Sequence, residues 1–196
     1  MGQLHEREPG LRERLRAATA SAHARLDARM AEGFPDDGAY RAYLQGMHAF
    51  IASLLSAVRG QAQRMEWALP PWEPALAADM AVLDVAPLAA EPVDEPDRHG
   101  ALGALYVMEG AGLGARILVR RALALGHDRE RGARFLSLHA DGEGGRRWPR
   151  FLAMLDRTGT DAFPDACAAA LAAFALAQRC FERADGARLG RQPRAA

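Results

Sequence analysis

From Tyr40 to Val58 the large apolar side chains recur every three or four residues: Tyr40, Tyr43, Leu44, Met47, Phe50, Ile51, Leu54, Leu55 and Val58. This spacing puts them on one broad face of a helix. Alternating runs of β-branched and aromatic residues, which a strand requires, are nearly absent; alanine, leucine and arginine dominate. The chain therefore reads as all-α. Helices are expected over 11–31, with Leu11, Leu15, Thr19, Ala22, Leu26 and Met30 as the apolar stripe, then over 38–59, 75–85 and 100–125. Two shorter ones follow near 132–139 and 147–157, and a last long one spans 163–184. The turn Gly33-Phe34-Pro35-Asp36-Asp37 closes the first helix, and the proline-rich stretch Trp67 to Pro74 is expected to be irregular.

With 196 residues, 49% apolar and 26% charged, the chain has the size and composition of one globular domain rather than a disordered or fibrous segment. The expected division is a flexible N-terminus over 1–10, one helical domain over 11–186 and a flexible tail over 187–196. Arginine supplies all 25 positive charges and they balance 25 acidic residues. Net charge thus points to neither nucleic acid nor a membrane surface. Cys167 and Cys180 fall about 20 Å apart along one predicted helix and cannot pair with each other. The N-terminus is polar, and no apolar run reaches about 18 residues. A cytoplasmic protein without a membrane span is the expectation.

Two segments stand out. On the first helix His23 follows Thr19 by four residues and precedes Leu26 by three, so its imidazole is expected on the buried face. Arg16 lies two turns earlier, about 10.5 Å along the axis. His23 in this position can ligate a metal at the centre of a planar cofactor while Arg16 reaches a carboxylate at its edge. Asp27, one turn below, can accept from the other ring nitrogen and fix the tautomer. The alternative is a core histidine satisfied by backbone groups. His5, His48, His99, His127 and His139 show no H-x3-H or HExxH spacing, which argues against a multi-histidine metal centre.

The second segment, Leu105-Tyr106-Val107-Met108-Glu109-Gly110-Ala111-Gly112-Leu113-Gly114-Ala115, sets three glycines inside a helical stretch. Each costs about 0.5–1 kcal/mol relative to alanine. Gly110 and Gly114 share a face, so either a flat ligand or a neighbouring helix can touch bare backbone there, and the helix is expected to bend. The segment carries no nucleophile, so any chemistry would belong to a cofactor.

These two segments resemble the haem (heme) oxygenase family, especially the bacterial, biliverdin-producing enzymes. L-R-x-A-T-x-x-x-H-x-x-x-D, Leu15 to Asp27, is similar to the family's proximal helix, and Leu105 to Ala115 to its distal helix. The resemblance implies a single all-α domain holding haem between those helices, and an oxidoreductase that cleaves haem with dioxygen to biliverdin, carbon monoxide and ferrous iron. It makes His23 the axial ligand, Arg16 a propionate partner and Asp27 its support. Gly110, Ala111, Gly112 and Gly114 become the distal face, Tyr106 part of a polar network behind it, and Arg179 and Arg183 candidates for the second propionate. Ala111 departs from the pattern, since relatives carry aspartate or serine there. Without a GxGxxG motif or cysteine cluster, electrons are expected from a ferredoxin or flavoprotein reductase. Arg120, Arg121, Arg129, Arg131 and Arg134 are either its docking patch or a solvated helix end. The product can serve a bilin-binding photoreceptor, or the reaction can release iron. Alternatives on the same scaffold are a non-catalytic haem carrier or sensor, which Ala111 favours, and a thiaminase-like or quinone-cofactor oxidase without haem.

Overall fold

The computed structural model describes residues 8–140 and 144–190. The described residues form seven α-helices: α1 (Leu11–Met30), α2 (Asp37–Arg64), α3 (Trp72–Val82), α4 (Arg98–Ala124), α5 (Arg134–Ala140), α6 (Gly144–Asp156) and α7 (Phe163–Leu189), with a 3-10 turn at Thr160–Ala162. No strand occurs among the described residues.

Several boundaries differ from expectation for identifiable reasons. α2 continues past Arg59 to Arg64, and α3 starts at Trp72 rather than Ala75. Pro74 falls in the first turn of α3, where a proline removes no helical hydrogen bond. α7 runs beyond residue 184 to Leu189, and Arg188 pairs with Asp36 at 2.7 Å, so residues 187–189 are helix rather than tail. At the other end, Arg14 Nε donates to the Pro9 carbonyl at 2.9 Å, tying down part of the expected flexible N-terminus. Residues 1–7 and 191–196 of the expected flexible ends lie outside the described residues. α4 is hydrogen-bonded as one helix through all three glycines; the expected bend does not interrupt it.

α4 and α7 form the central pair, with α2 packed on both and α1 against α7. Both central helices are long and apolar enough, by length and composition, to cross a membrane. Neither is an unbroken apolar run: Glu109 and Arg116 interrupt α4, and Gln178 and Arg179 interrupt α7. Here they build a core with fully buried Leu102, Leu105, Met108, Ala170 and Cys180. Burial pushes the Cys180 thiol up to about 11, so it packs as a small apolar group. The closest approaches use two glycines outside the Gly-rich segment. A Cβ on Gly103 would run into the Ala166 backbone, 2.9 Å from its Cα, and one on Gly46 would lie 3.1 Å from Phe181 Cα. Further along the same stripe of α4, about 20° away at 100° per residue, Gly110 and Gly114 no longer touch α7. The two helices therefore meet at Gly103 and spread apart toward Gly114.

The long connection 83–97 is strapped to the bundle. Ser53 Oγ accepts from the Glu91 amide at 2.8 Å, and Gln61 Nε2 donates to the Pro96 carbonyl at 3.2 Å. Asp79 on α3 caps α5 from outside, accepting from the Arg134 and Phe135 amides at 2.8 Å each. Burial outweighs those two donors and raises the Asp79 carboxyl above the ordinary carboxylate range.

Gly103→Ala forces backbone apart rather than a side chain. The expected loss is about 1–3 kcal/mol, a fall in Tm of about 2–12 °C for a chain this long. Thermal unfolding checks it.

Candidate active site

Where α4 leaves α7, a cleft of about 520 Å³ opens between α1, α4 and α7, with α2 as its floor. Its walls are mostly apolar: Leu26 and Met30 from α1, Met47 and Phe50 from α2, Leu113, Ile117 and Leu118 from α4, and Phe174, Ala177 and Phe181 from α7. The volume falls within the about 300–1,000 Å³ of small-molecule and cofactor sites, and so does the pattern of few polar groups on an apolar wall.

His23 is the imidazole of that wall. The buried stripe of α1 holds at Leu11, Leu15, Thr19 and Ala22 and then faces the cleft, so His23 is not buried as expected; its side chain is 55% exposed. It stands edge-on to Phe174, ring centroids 6.0 Å apart. Asp27 Oδ2 lies 2.7 Å from His23 Nδ1. This bond places the proton on Nδ1 and leaves the Nε2 lone pair available to a ligand.

Across the cleft Gly110, Ala111 and Gly114 present α4. Nothing lies within 4 Å of where a Gly114 Cβ would stand, and at Gly110 only the Trp148 ring approaches, at 3.6 Å. Bare backbone thus forms the face opposite His23. Tyr106, one turn before Gly110, also lines the cleft and packs on Trp148, centroids 5.4 Å apart.

Four expected site residues sit elsewhere. Gly112 is about 200° round the helix from Gly110, and a Cβ there would lie 2.5 Å from His139 Nδ1. It is a packing glycine. His139 stacks on Trp72 at 5.8 Å, and burial, then the Arg147 charge, pushes it down to about 4. Arg16 is exposed on α1 and does not line the cleft. Arg179 and Arg183 hold Glu91 instead, at 2.9 and 3.2 Å, and Arg183 also donates to the Ala89 carbonyl at 2.9 Å. Their partner is the connection, which sequence spacing alone does not place.

The arginine that does line the cleft is Arg121, whose Nη2 donates to the Ala31 carbonyl at the end of α1, 3.0 Å away. Of the other arginines considered for docking, Arg131 pairs with Asp128 at 2.7 Å, while Arg120 and Arg134 are exposed. Trp148, Phe174 and Phe181 were not anticipated; they are core-like aromatics whose role depends on helix divergence. Glu109 directly precedes the glycines of the motif. It is buried behind α4, where Arg147 holds it, with Nε donating to Oε2 at 3.1 Å.

An all-α bundle with an apolar cleft between a histidine-bearing helix and a glycine-faced helix has the shape to take a flat ligand between those two helices. Known proteins narrow the class. No protein-family model matches the sequence. The chain is 34% identical over 161 residues to heme oxygenase PigA of Pseudomonas aeruginosa, covering 74% of this chain and 76% of that protein. The fold matches the NO- and CO-bound heme oxygenase from Neisseria meningitidis with a TM-score of 0.75 and 26% identity, over 90% of this chain and 92% of that one. The chain belongs to the haem oxygenase family.

Gly112 and Gly114 separate by substitution. Gly112→Ala meets His139 and lowers stability by about 1–3 kcal/mol. Gly114→Ala enters open space and raises it by about 0.5–1 kcal/mol. Thermal unfolding of both variants checks the assignment.

Proposed function

We propose that this protein is a haem oxygenase that cleaves haem to biliverdin, carbon monoxide and ferrous iron with dioxygen and electrons from an external donor. The observation that carries this reading is the pairing, across an apolar cleft, of a histidine whose Nε2 is free with a helix face bare of side chains at Gly110 and Gly114. These residues suit a flat, largely apolar macrocycle with a central metal. Bound haem supplies both the iron at which dioxygen is activated and the meso carbon that is oxidised.

The chain's own residues bind and orient. His23 Nε2 would hold the iron, with Asp27 keeping the imidazole in the ligating tautomer. Gly110 and Gly114 would let the α4 backbone lie close against a planar ligand, because neither carries a side chain into the cleft. Phe174, Phe181 and Met47 exclude water from the ring edge. Arg121 takes the place first expected of Arg16 as partner for a propionate: Ala31, whose carbonyl it holds, lies about 12 Å along α1 from His23. Ala111 offers no side-chain proton donor, and Tyr106, which also lines the cleft, would hold a water there through its hydroxyl.

Electrons come from a ferredoxin or flavoprotein reductase in the cytoplasm. Arg120, exposed on α4, offers it positive charge. Iron release and supply of biliverdin to a photoreceptor are two uses of the same products. A non-catalytic carrier is the second reading, favoured by Ala111 alone.

An absorption time course with one equivalent of hemin, reductant and air separates the two. Loss of the Soret band with growth of a biliverdin band is expected. A Soret band that persists in the native protein but decays in Ala111→Asp supports the carrier; no uptake of hemin by either overturns both readings.

A further inference from the structure

Behind the glycine face lies a charged pair that the cleft does not use. Glu109 precedes Gly110 on α4, and Arg147 precedes Trp148 on α6. The Glu109 side chain is 2% exposed and that of Arg147 20%. Glu109 accepts from Trp67 Nε1 at 2.8 Å and from both Nε and Nη2 of Arg147. The guanidinium is sandwiched between rings, 5.0 Å from the Trp67 centroid and 5.7 Å from that of Trp72. One residue on, in each helix, the front side faces the cleft: Trp148 lies over Gly110.

We infer that Glu109 and Arg147 are positioning residues, a two-pronged tie that sets the separation of the Gly110 backbone from the Trp148 ring and so the seat of the planar ligand. The inference rests on the haem reading above. Two bonds in a planar fork fix both distance and rotation, which a single contact does not. They do so where α4 has left α7 and Gly110 and Gly114 meet nothing on the cleft side but the Trp148 ring.

Glu109→Leu/Arg147→Met replaces the buried pair with apolar groups, an exchange that often leaves stability unharmed. Arg147→Lys keeps the charge and loses the fork, and serves if the double variant does not fold. Two readouts are compared with the native chain. In the ligand-free protein, backbone amides over 110–114 exchange faster in both variants at little-changed Tm. In the hemin complex, the Soret circular dichroism changes shape, as a reseated macrocycle requires. Exchange and dichroism that match the native protein in both variants overturn the inference, as does a loss of Tm with neither change. If the native protein takes up no hemin, the haem reading fails, and amide exchange alone decides the tie: faster exchange supports it and unchanged exchange overturns it.

Discussion

The contact on which the rest depends is backbone against backbone at Gly103 and Ala166. Side-chain-free approach there lets α4 and α7 meet more closely than any Cβ allows. From this pivot they spread, and the space between them is the cleft. The same stripe of α4 thus serves two ends: tight packing at Gly103, and an open glycine face at Gly110 and Gly114. Were α4 and α7 held apart throughout, the core would lose density; were they joined throughout, there would be no cleft.

α1 closes the third side under a different constraint. Its first half is anchored by Leu11 and Leu15, and its end by Arg29, which donates to the Phe181 carbonyl at 3.0 Å and pairs with Asp185. Between these anchors His23 looks across the cleft rather than into the core. Exposure on the cleft wall leaves the His23 imidazole within reach of a ligand, whereas a histidine packed among side chains is walled off from one. His139 is the contrast within one chain: buried, pushed down to about 4, and pressed against Gly112.

The helical class was readable because Tyr40 to Val58 admits no other regular packing, and the two motif segments led to the family. Within the site, legibility tracked sequence distance. His23 and Asp27 are one turn apart, so their bond follows from helix geometry, and Gly110 with Gly114 likewise. Arg179 and Arg183 failed that test because their partner Glu91 lies in an irregular connection. Arg121 replaced Arg16 at the cleft because the ending of α1 at Met30 brings Ala31 to α4, a tertiary fact without a local signal. Gly112 shared a motif with its neighbours but not a face.

The central claim is that His23, held by Asp27, is the residue through which the cleft grips its iron-centred ligand. The direct measurement is the absorption spectrum of hemin bound to His23→Ala, before and after adding imidazole. The native protein should give a histidine-ligated spectrum, the variant should lose it, and free imidazole should restore it, because the side chain opens onto the cleft. A spectrum in His23→Ala identical to that of the native protein would contradict the account and place the ligand elsewhere.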